Sequence, residues 1–394
     1  MKKVIVLTAI LTLSLYSCSK SEDNEYVPID LYPNITATFG TTIDPDNLSN
    51  YANQAIPAYI TKDNTAGNPI TDKGATLGRI LFYDKNLSKN NTVSCASCHI
   101  QADAFGDGAV ASPGVNGTTG RHAMRLINAR FSVERKFFWD ERAATLEAQT
   151  TQPIQNHIEM GFSGTGGDDN IDGLVSKLQS IGYYQELFTF VYGDSEVTET
   201  RIQDALAQFV RSIQSFDSKY DVGRATAAND GQPFTNFSAE ENQGKNLFLT
   251  PPQFNAAGVR TGGGLGCAGC HAAPEFDIAP NSGNNGVVGT LGNPTLLDIT
   301  NTRAPSLRNM LKPDGTPNGP FMHTGEFTTL QQVLAHYNVI PIVPGNTNLD
   351  PKLRPGGMPQ ELNMTPQEIS AITAFIKTLS GTDVYTNAKW STPF

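Results

Sequence analysis

The sequence predicts an all-α chain built as two related domains, and three observations predict it. Apolar residues recur at helical spacing in several segments, strand alternation is weak, and one local pattern occurs twice. In its first copy, Leu77-Gly78-Arg79-Ile80-Leu81-Phe82 precedes a polar loop and then Cys95-Ala96-Ser97-Cys98-His99. In its second, Gly244-Lys245-Asn246-Leu247-Phe248 precedes a glycine-rich loop and then Cys267-Ala268-Gly269-Cys270-His271. Leu-Phe falls three and four residues after glycine both times. At 394 residues the chain is long enough for two domains with cores of their own, and 39% apolar content is ordinary for a globular protein.

The elements follow in chain order. Lys2 and Lys3, the apolar run over residues 4–15 and then Ser17-Cys18 read as an export signal, and the run is too short to span a bilayer as a mature helix. Leu15-Tyr16-Ser17-Cys18 resembles a bacterial lipobox, which would put cleavage after Ser17 and a lipid on Cys18; an ordinary signal peptide that contains a cysteine is the alternative. Residues 1–17 are thus a signal, 18–53 a polar tether, 54–235 an N-terminal domain and 236–394 a C-terminal domain. Ile202, Leu206, Phe209, Val210, Ile213 and Phe216 predict one long amphipathic helix closing the first domain. Ser238 with Glu241 is a capping box opening the second. Near the C-terminus, Thr365 as N-cap, Pro366 and Glu368 begin a helix that buries Ile369, Ile372, Ile376 and Leu379 and stops at Gly381. The stretches 161–170 and 256–266 are glycine-rich loops.

Loss of Lys2 and Lys3 with the signal takes the formal net charge from −10 to −12. That acidity argues against nucleic acid and suits a basic protein partner. No other segment is long and apolar enough to cross a membrane, so membrane contact is expected only through the lipid on Cys18.

Set Cys18 aside and the other four cysteines form two C-x-x-C-H motifs, the attachment sequence of haem c. Thiols three residues apart can form thioethers with the two vinyl groups of one porphyrin, and the adjacent histidine can bind its iron. Structural disulfides or a Cys/His zinc site are the rivals. A zinc site would gather the cysteines, yet about 170 residues separate the pairs, and disulfides give no reason for a histidine after each. Two covalently bound haem c groups, in two cytochrome c-like domains related by an internal repeat, are the expectation.

Further motifs resemble the bacterial di-haem cytochrome c peroxidase and MauG family over about residues 70–380: Leu77-Gly78 with Asp84, Leu87-Ser88, Phe138-Trp139-Asp140 with Arg142-Ala143, Glu159-Met160-Gly161, Arg303 with Pro305-Ser306-Leu307-Arg308-Asn309, and Phe321-Met322-His323 with Gly325 and Thr329-Leu330. The resemblance implies that the haem of His99 meets hydrogen peroxide and that of His271 relays electrons from a small cytochrome c or cupredoxin in the periplasm. It implies Glu159 as acid/base and Gln149 beside it, because splitting the O–O bond needs a group that takes a proton from one oxygen and returns it to the other. It implies Trp139 as a relay between the haems; as a bare residue it would be interface packing. It is also compatible with a homodimer.

The chain departs from the family in two places. Many members carry a methionine as second ligand of the relay haem fourteen residues after the histidine matching His323; here that residue is Tyr337, as in MauG-type enzymes. An anionic oxygen ligand would favour ferric iron. His336, Met310, Met322, Met358 and Met364 are the other candidates, and packing on a helix is the alternative role for Tyr337. Many members also close the peroxide site with a distal histidine, where this chain has Val115 in Gly114-Val115-Asn116-Gly117, so an open site that needs no reductive activation is expected. His122 stands where relatives carry an asparagine that helps hold Ca2+, which weakens the case for calcium; His122 and His157 otherwise read as structural. A MauG-like oxidase of a partner protein and a di-haem electron carrier without catalysis are the rival functions.

Overall fold

The computed structural model describes residues 30–132, 136–278, 282–293 and 295–394. The signal over 1–17, Cys18 and the first part of the expected tether lie outside them. The helices are α1 (Pro33–Phe39), α2 (Asp72–Tyr83), α3 (Leu146–Thr150), α4 (Ile171–Gln179), α5 (Gly182–Tyr192), α6 (Glu199–Ser212), α7 (Lys219–Thr226), α8 (Ala239–Leu249), α9 (Leu330–Asn338) and α10 (Pro366–Lys377). Strand structure among the described residues is confined to isolated bridges and three short antiparallel pairs: β1 (Pro113–Gly114) with β2 (Gly117–Thr118), β3 (Pro252–Phe254) with β4 (Arg260–Gly263), and β5 (His271–Ala272) with β6 (Asp277–Ile278). The fold is helix-rich with few strands, and β4 falls inside the stretch 256–266 expected to be loop. No helix among the described residues is long and apolar enough to cross a membrane.

Two helix crossings organise the molecule. Thr71 caps α2 by accepting from Gly74 N (2.9 Å), and Thr198 caps α6 by accepting from Arg201 N (3.2 Å). These helices pack so closely that a Cβ on Gly78 would stand 1.9 Å from the Ala205 carbonyl oxygen. Leu77, Ile80, Leu81, Ile202, Leu206 and Phe209 are buried in the resulting core. In the second half α8 and α10 open on the expected capping boxes, Ser238 with Glu241 and Thr365 with Glu368. A Cβ on Gly244 would stand 1.9 Å from the Ala371 carbonyl oxygen. The ring contacts correspond as well: Phe82 lies 5.1 Å from Phe209 and 6.0 Å from Phe105, and Phe248 lies 5.3 Å from Phe375 and 5.6 Å from Phe276.

Several boundaries differ from expectation. Helix α6 ends at Ser212, so Phe216 is beyond it; the Ile213 carbonyl accepts from Asn128 N (2.9 Å) and Ser215 N donates to Asn128 Oδ1 (2.9 Å), which draws the backbone out of the helical ladder. Helix α10 ends at Lys377, before Gly381, whose missing side chain instead leaves room for the Asp217 carboxylate. Within the stretch read as a tether, α1 buries Ile35 and Phe39 against α5, and Glu186 of α5 accepts from Asn34 N (2.8 Å) and Ile35 N (2.9 Å). Tyr220 and Phe234 already belong to the second core, ahead of residue 236, whereas Val384 and Trp390 return to the first. Tyr83 Oη donates to the Trp390 carbonyl (2.7 Å) and Arg79 Nε to that of Ser391 (2.6 Å), which fixes the C-terminal tail.

Gly244→Ala is expected to lower stability by about 1–3 kcal/mol, because overpacking meets backbone that cannot yield; thermal unfolding of protein with unchanged haem content measures it.

Candidate haem sites and active site

Each C-x-x-C-H motif lies on a short 3-10 turn, Cys95–Ser97 and Cys267–Gly269, at the mouth of the corresponding helix crossing. Burial pushes Cys95 up to about 12 and Cys98 to about 11, and likewise Cys267 to about 12 and Cys270 to about 11. All four are free thiols, and among the described residues no three His, Cys, Asp or Glu side chains converge as a metal cluster.

The histidines are aimed by backbone. His99 Nδ1 donates to the Phe105 carbonyl (3.2 Å), and His271 Nδ1 to that of Phe276 (3.1 Å). Burial lowers both imidazoles, His271 to about 4, so each is neutral at physiological pH with Nε2 left to bind iron. Phe105 (φ 58°) and Phe276 (φ 57°) are fully buried and left-handed, which turns their carbonyls toward the rings. Sequence reasoning missed this pair, although a phenylalanine follows each histidine at a spacing of six and five residues.

The His99 cavity gathers the expected residues. Gln149 and Glu159 line it with Cys95, Cys98 and His99, between apolar walls that include Phe82, Val93, Leu206 and Val210. Gln149 stands at the end of α3, which Thr145 caps and which the ion pair between Glu147 and Arg211 ties to α6. Glu159 is held by its own backbone: its N–H donates to Asn156 Oδ1 (3.1 Å) and its carbonyl accepts from Val115 N (3.1 Å). A Cβ on Gly114 would lie 2.1 Å from the Ile158 carbonyl oxygen, so glycine lets the β1–β2 hairpin pack here. Burial pushes the Glu159 carboxyl above its ordinary value of 4.5, and the Arg142 guanidinium draws it back. The hairpin contributes Pro113, Gly114 and Thr119 to the wall; among the described lining residues His99 is the sole histidine and Met160 the sole thioether.

The His271 cavity, about 400 Å³, is the size of a small-molecule pocket. Trp139 forms part of its wall, donating through Nε1 to the His122 carbonyl (2.7 Å) and accepting on its own carbonyl from Arg303 N (2.7 Å). Tyr337, Met310 and Met322 line it too. Asn285 Nδ2 donates both to Tyr337 Oη (3.3 Å) and to Met322 Sδ (3.3 Å). Burial pushes the Tyr337 phenol up while the Asn285 hydrogen bond lowers it. Of the other candidates, His336 Nε2 is engaged with the Asn285 carbonyl (2.9 Å), Met358 is exposed, and Met364 packs against the second core. His122 lines this cavity and hydrogen-bonds the Ala109 carbonyl through Nδ1 (2.9 Å); His157 pairs with Asp168 (2.6 Å) away from both cavities.

Comparison with known proteins agrees with this geometry. The profile of the di-haem cytochrome c peroxidase family matches residues 72–228. The methylamine utilization protein MauG of Methylorubrum extorquens is 30% identical over 68% of this chain and 70% of its own length. The chain belongs to the di-haem cytochrome c peroxidase/MauG family. Cytochrome c551 peroxidase of Nitrosomonas europaea is 29% identical over 78% of this chain and 80% of that one. A solved MauG-like protein associated with microbial copper homeostasis superposes with a TM-score of 0.65 at 26% identity, covering 86% of this chain and 99% of that one. Members of this family are di-haem enzymes, and the two C-x-x-C-H cradles fit a haem c each: paired thiols, a neutral directed imidazole and apolar walls.

Replacing Cys267 and Cys270 together by alanine is expected to leave one covalently bound haem, at Cys95 and Cys98; mass spectrometry of the intact protein counts them.

Proposed function

We propose that the chain is an exported di-haem c-type peroxidase that reduces hydrogen peroxide to water at the His99 cavity, with electrons from a periplasmic cytochrome c or cupredoxin entering at the His271 cavity. The observation that carries this reading is the convergence of Glu159 and Gln149 on the cavity of Cys95, Cys98 and His99. Haem c in that cradle supplies an iron that binds peroxide and exchanges electrons with it. The protein supplies the proton handling. The Glu159 carboxylate takes the proton from one peroxide oxygen and returns it to the other, so that water can leave, and two further protons and two electrons complete the reduction. The Gln149 amide orients the peroxide, and the apolar walls exclude bulk water. Trp139, on the wall of the second cavity, is the relay between the two sites. The matched glycine crossings support reading the halves as two copies of one haem-binding plan. The signal over 1–17 and a lipid on Cys18 belong to the same proposal and would hold the enzyme at a membrane in the periplasm.

One observation favours a second reading, a MauG-like oxidase of a partner protein: Tyr337 lines the His271 cavity where many peroxidases carry methionine. Tyr337 as a phenolate ligand would favour the ferric state of an iron held there and lower its potential, which would suit storage of oxidising equivalents. Tyr337→Met is expected to raise the midpoint potential of that haem in a potentiometric titration.

Glu159→Gln is expected to lower kcat/KM for peroxide by about 100-fold or more with both haems attached, since positioned acid–base groups contribute about 10²–10⁴; wild-type turnover in that variant refutes the assignment. The reaction needs the carboxylate, so activity falls as pH drops through the Glu159 pKa. Because burial raises that pKa, the acid limb of the pH–rate profile lies above 4.5.

A further inference from the structure

Haem c carries two carboxylate side chains, and basic side chains line the His271 cavity. Arg125 and Arg303 both line it. The single carboxylate among the described lining residues, Asp350, is already engaged, accepting from Gly283 N (2.9 Å) and Lys352 N (2.8 Å). Arg303 is placed by other contacts, with its guanidinium over the Phe137 ring (5.1 Å) and a hydrogen bond to Ser132 Oγ (3.3 Å). Arg125 is different. Its stem rests on Gly106, where a Cβ would come within 2.7 Å of Arg125 Cγ, and its Nε is sealed from solvent without a hydrogen bond. No carboxylate pairs with it among the described residues. Arg125 is partly buried on the cavity wall, and once the cavity is filled its guanidinium would be closed in without an anion, which is strongly unfavourable because arginine does not escape by losing its proton near neutrality. Burial brings Arg125 down only to about 10, so it stays charged.

We propose that Arg125 is the anion-binding residue for a carboxylate side chain of the haem held by Cys267, Cys270 and His271. The haem of the second half is thereby gripped by a residue of the first, with Arg303 as a second positive charge in the cavity lining. The inference rests on the reading of the His271 cavity as a haem c site. It adds an electrostatic role: a positive charge beside the haem favours the reduced form, and the segment that carries Arg125 also borders the first site, since Leu126 lines the His99 cavity.

The test is a potentiometric titration of both haems, distinguished by their electron paramagnetic resonance signals, in wild type, Arg125→Met and Arg125→Lys. Methionine keeps a stem to pack on Gly106 and removes the charge. Its expected effect is a roughly tenfold shift of the second haem's reduction equilibrium toward the oxidised form, about 60 mV, with a smaller change at the first haem. Lysine, which keeps the charge, is expected to hold the potential within about threefold of wild type. An unshifted second haem in Arg125→Met, an equal shift at both haems, or a lysine variant as displaced as the methionine one overturns the proposal. Absence of haem from Cys267 and Cys270 in the wild type, read by mass spectrometry, would overturn the cofactor reading instead.

Discussion

The sites depend on how closely two pairs of helices cross at glycine. At Gly78 and again at Gly244 the partner helix brings a backbone carbonyl into space that any side chain would fill. That approach lets Phe82 meet both Phe209 and Phe105, and lets Phe248 meet both Phe375 and Phe276. Each aromatic ring so buried is worth about 1.5–3 kcal/mol, enough to hold the loop phenylalanine in its left-handed conformation. The same phenylalanine then offers its carbonyl to the histidine of the haem motif. The direction of the histidine in each C-x-x-C-H motif therefore depends on a missing methyl group one helix away.

The local parts of this arrangement are legible in the sequence, and the distant ones are not. The C-x-x-C-H motifs announce their chemistry within five residues, and the capping boxes at Ser238 and Thr365 announce their helices within four. Glu159 and Gln149 have no such local signature. A glutamate before Met-Gly is as readily a surface helix end, and only the resemblance to a family singles these two out. Helix α1 is illegible for another reason: the burial of Ile35 and Phe39 is decided by α5, about 150 residues later. The C-terminal tail is similar, since Trp390 finds its place against a core laid down by α2 and α6. The β3–β4 pair hides behind glycines at 258, 263 and 266 that take positive φ and read as loop, although the backbone between them still pairs.

The two cavities differ in their electrostatics. The His99 cavity presents a carboxyl whose proton affinity is raised by burial and an amide beside it, which suits a site that moves protons. The His271 cavity presents arginines, a buried phenol and an amide donor, which suits a site that holds charge. Residues 122–126 separate them. His122 to Arg125 face the second cavity and Leu126 the first, while Leu126 N donates to the same Phe105 carbonyl (3.3 Å) that orients His99. The carbonyl that orients His99 is thus shared with the segment that lines the second cavity.

The two halves are joined by a buried polar interface. Arg308 is fully buried there, donating to Asp221 (3.0 Å) and to the Pro274 carbonyl (2.9 Å), with Glu275 4.0 Å away. One guanidinium facing two ionised carboxylates would leave a buried negative charge. Burial pushes Glu275 up to about 8, against the pull of Arg308, which weakens its hold on a second negative charge beside that guanidinium. Asn128 of the first half completes the contact by donating to Glu275 (3.3 Å), and it is the same Asn128 that ends α6. The residue that terminates the core helix of the first half thus also anchors the loop between His271 and β6.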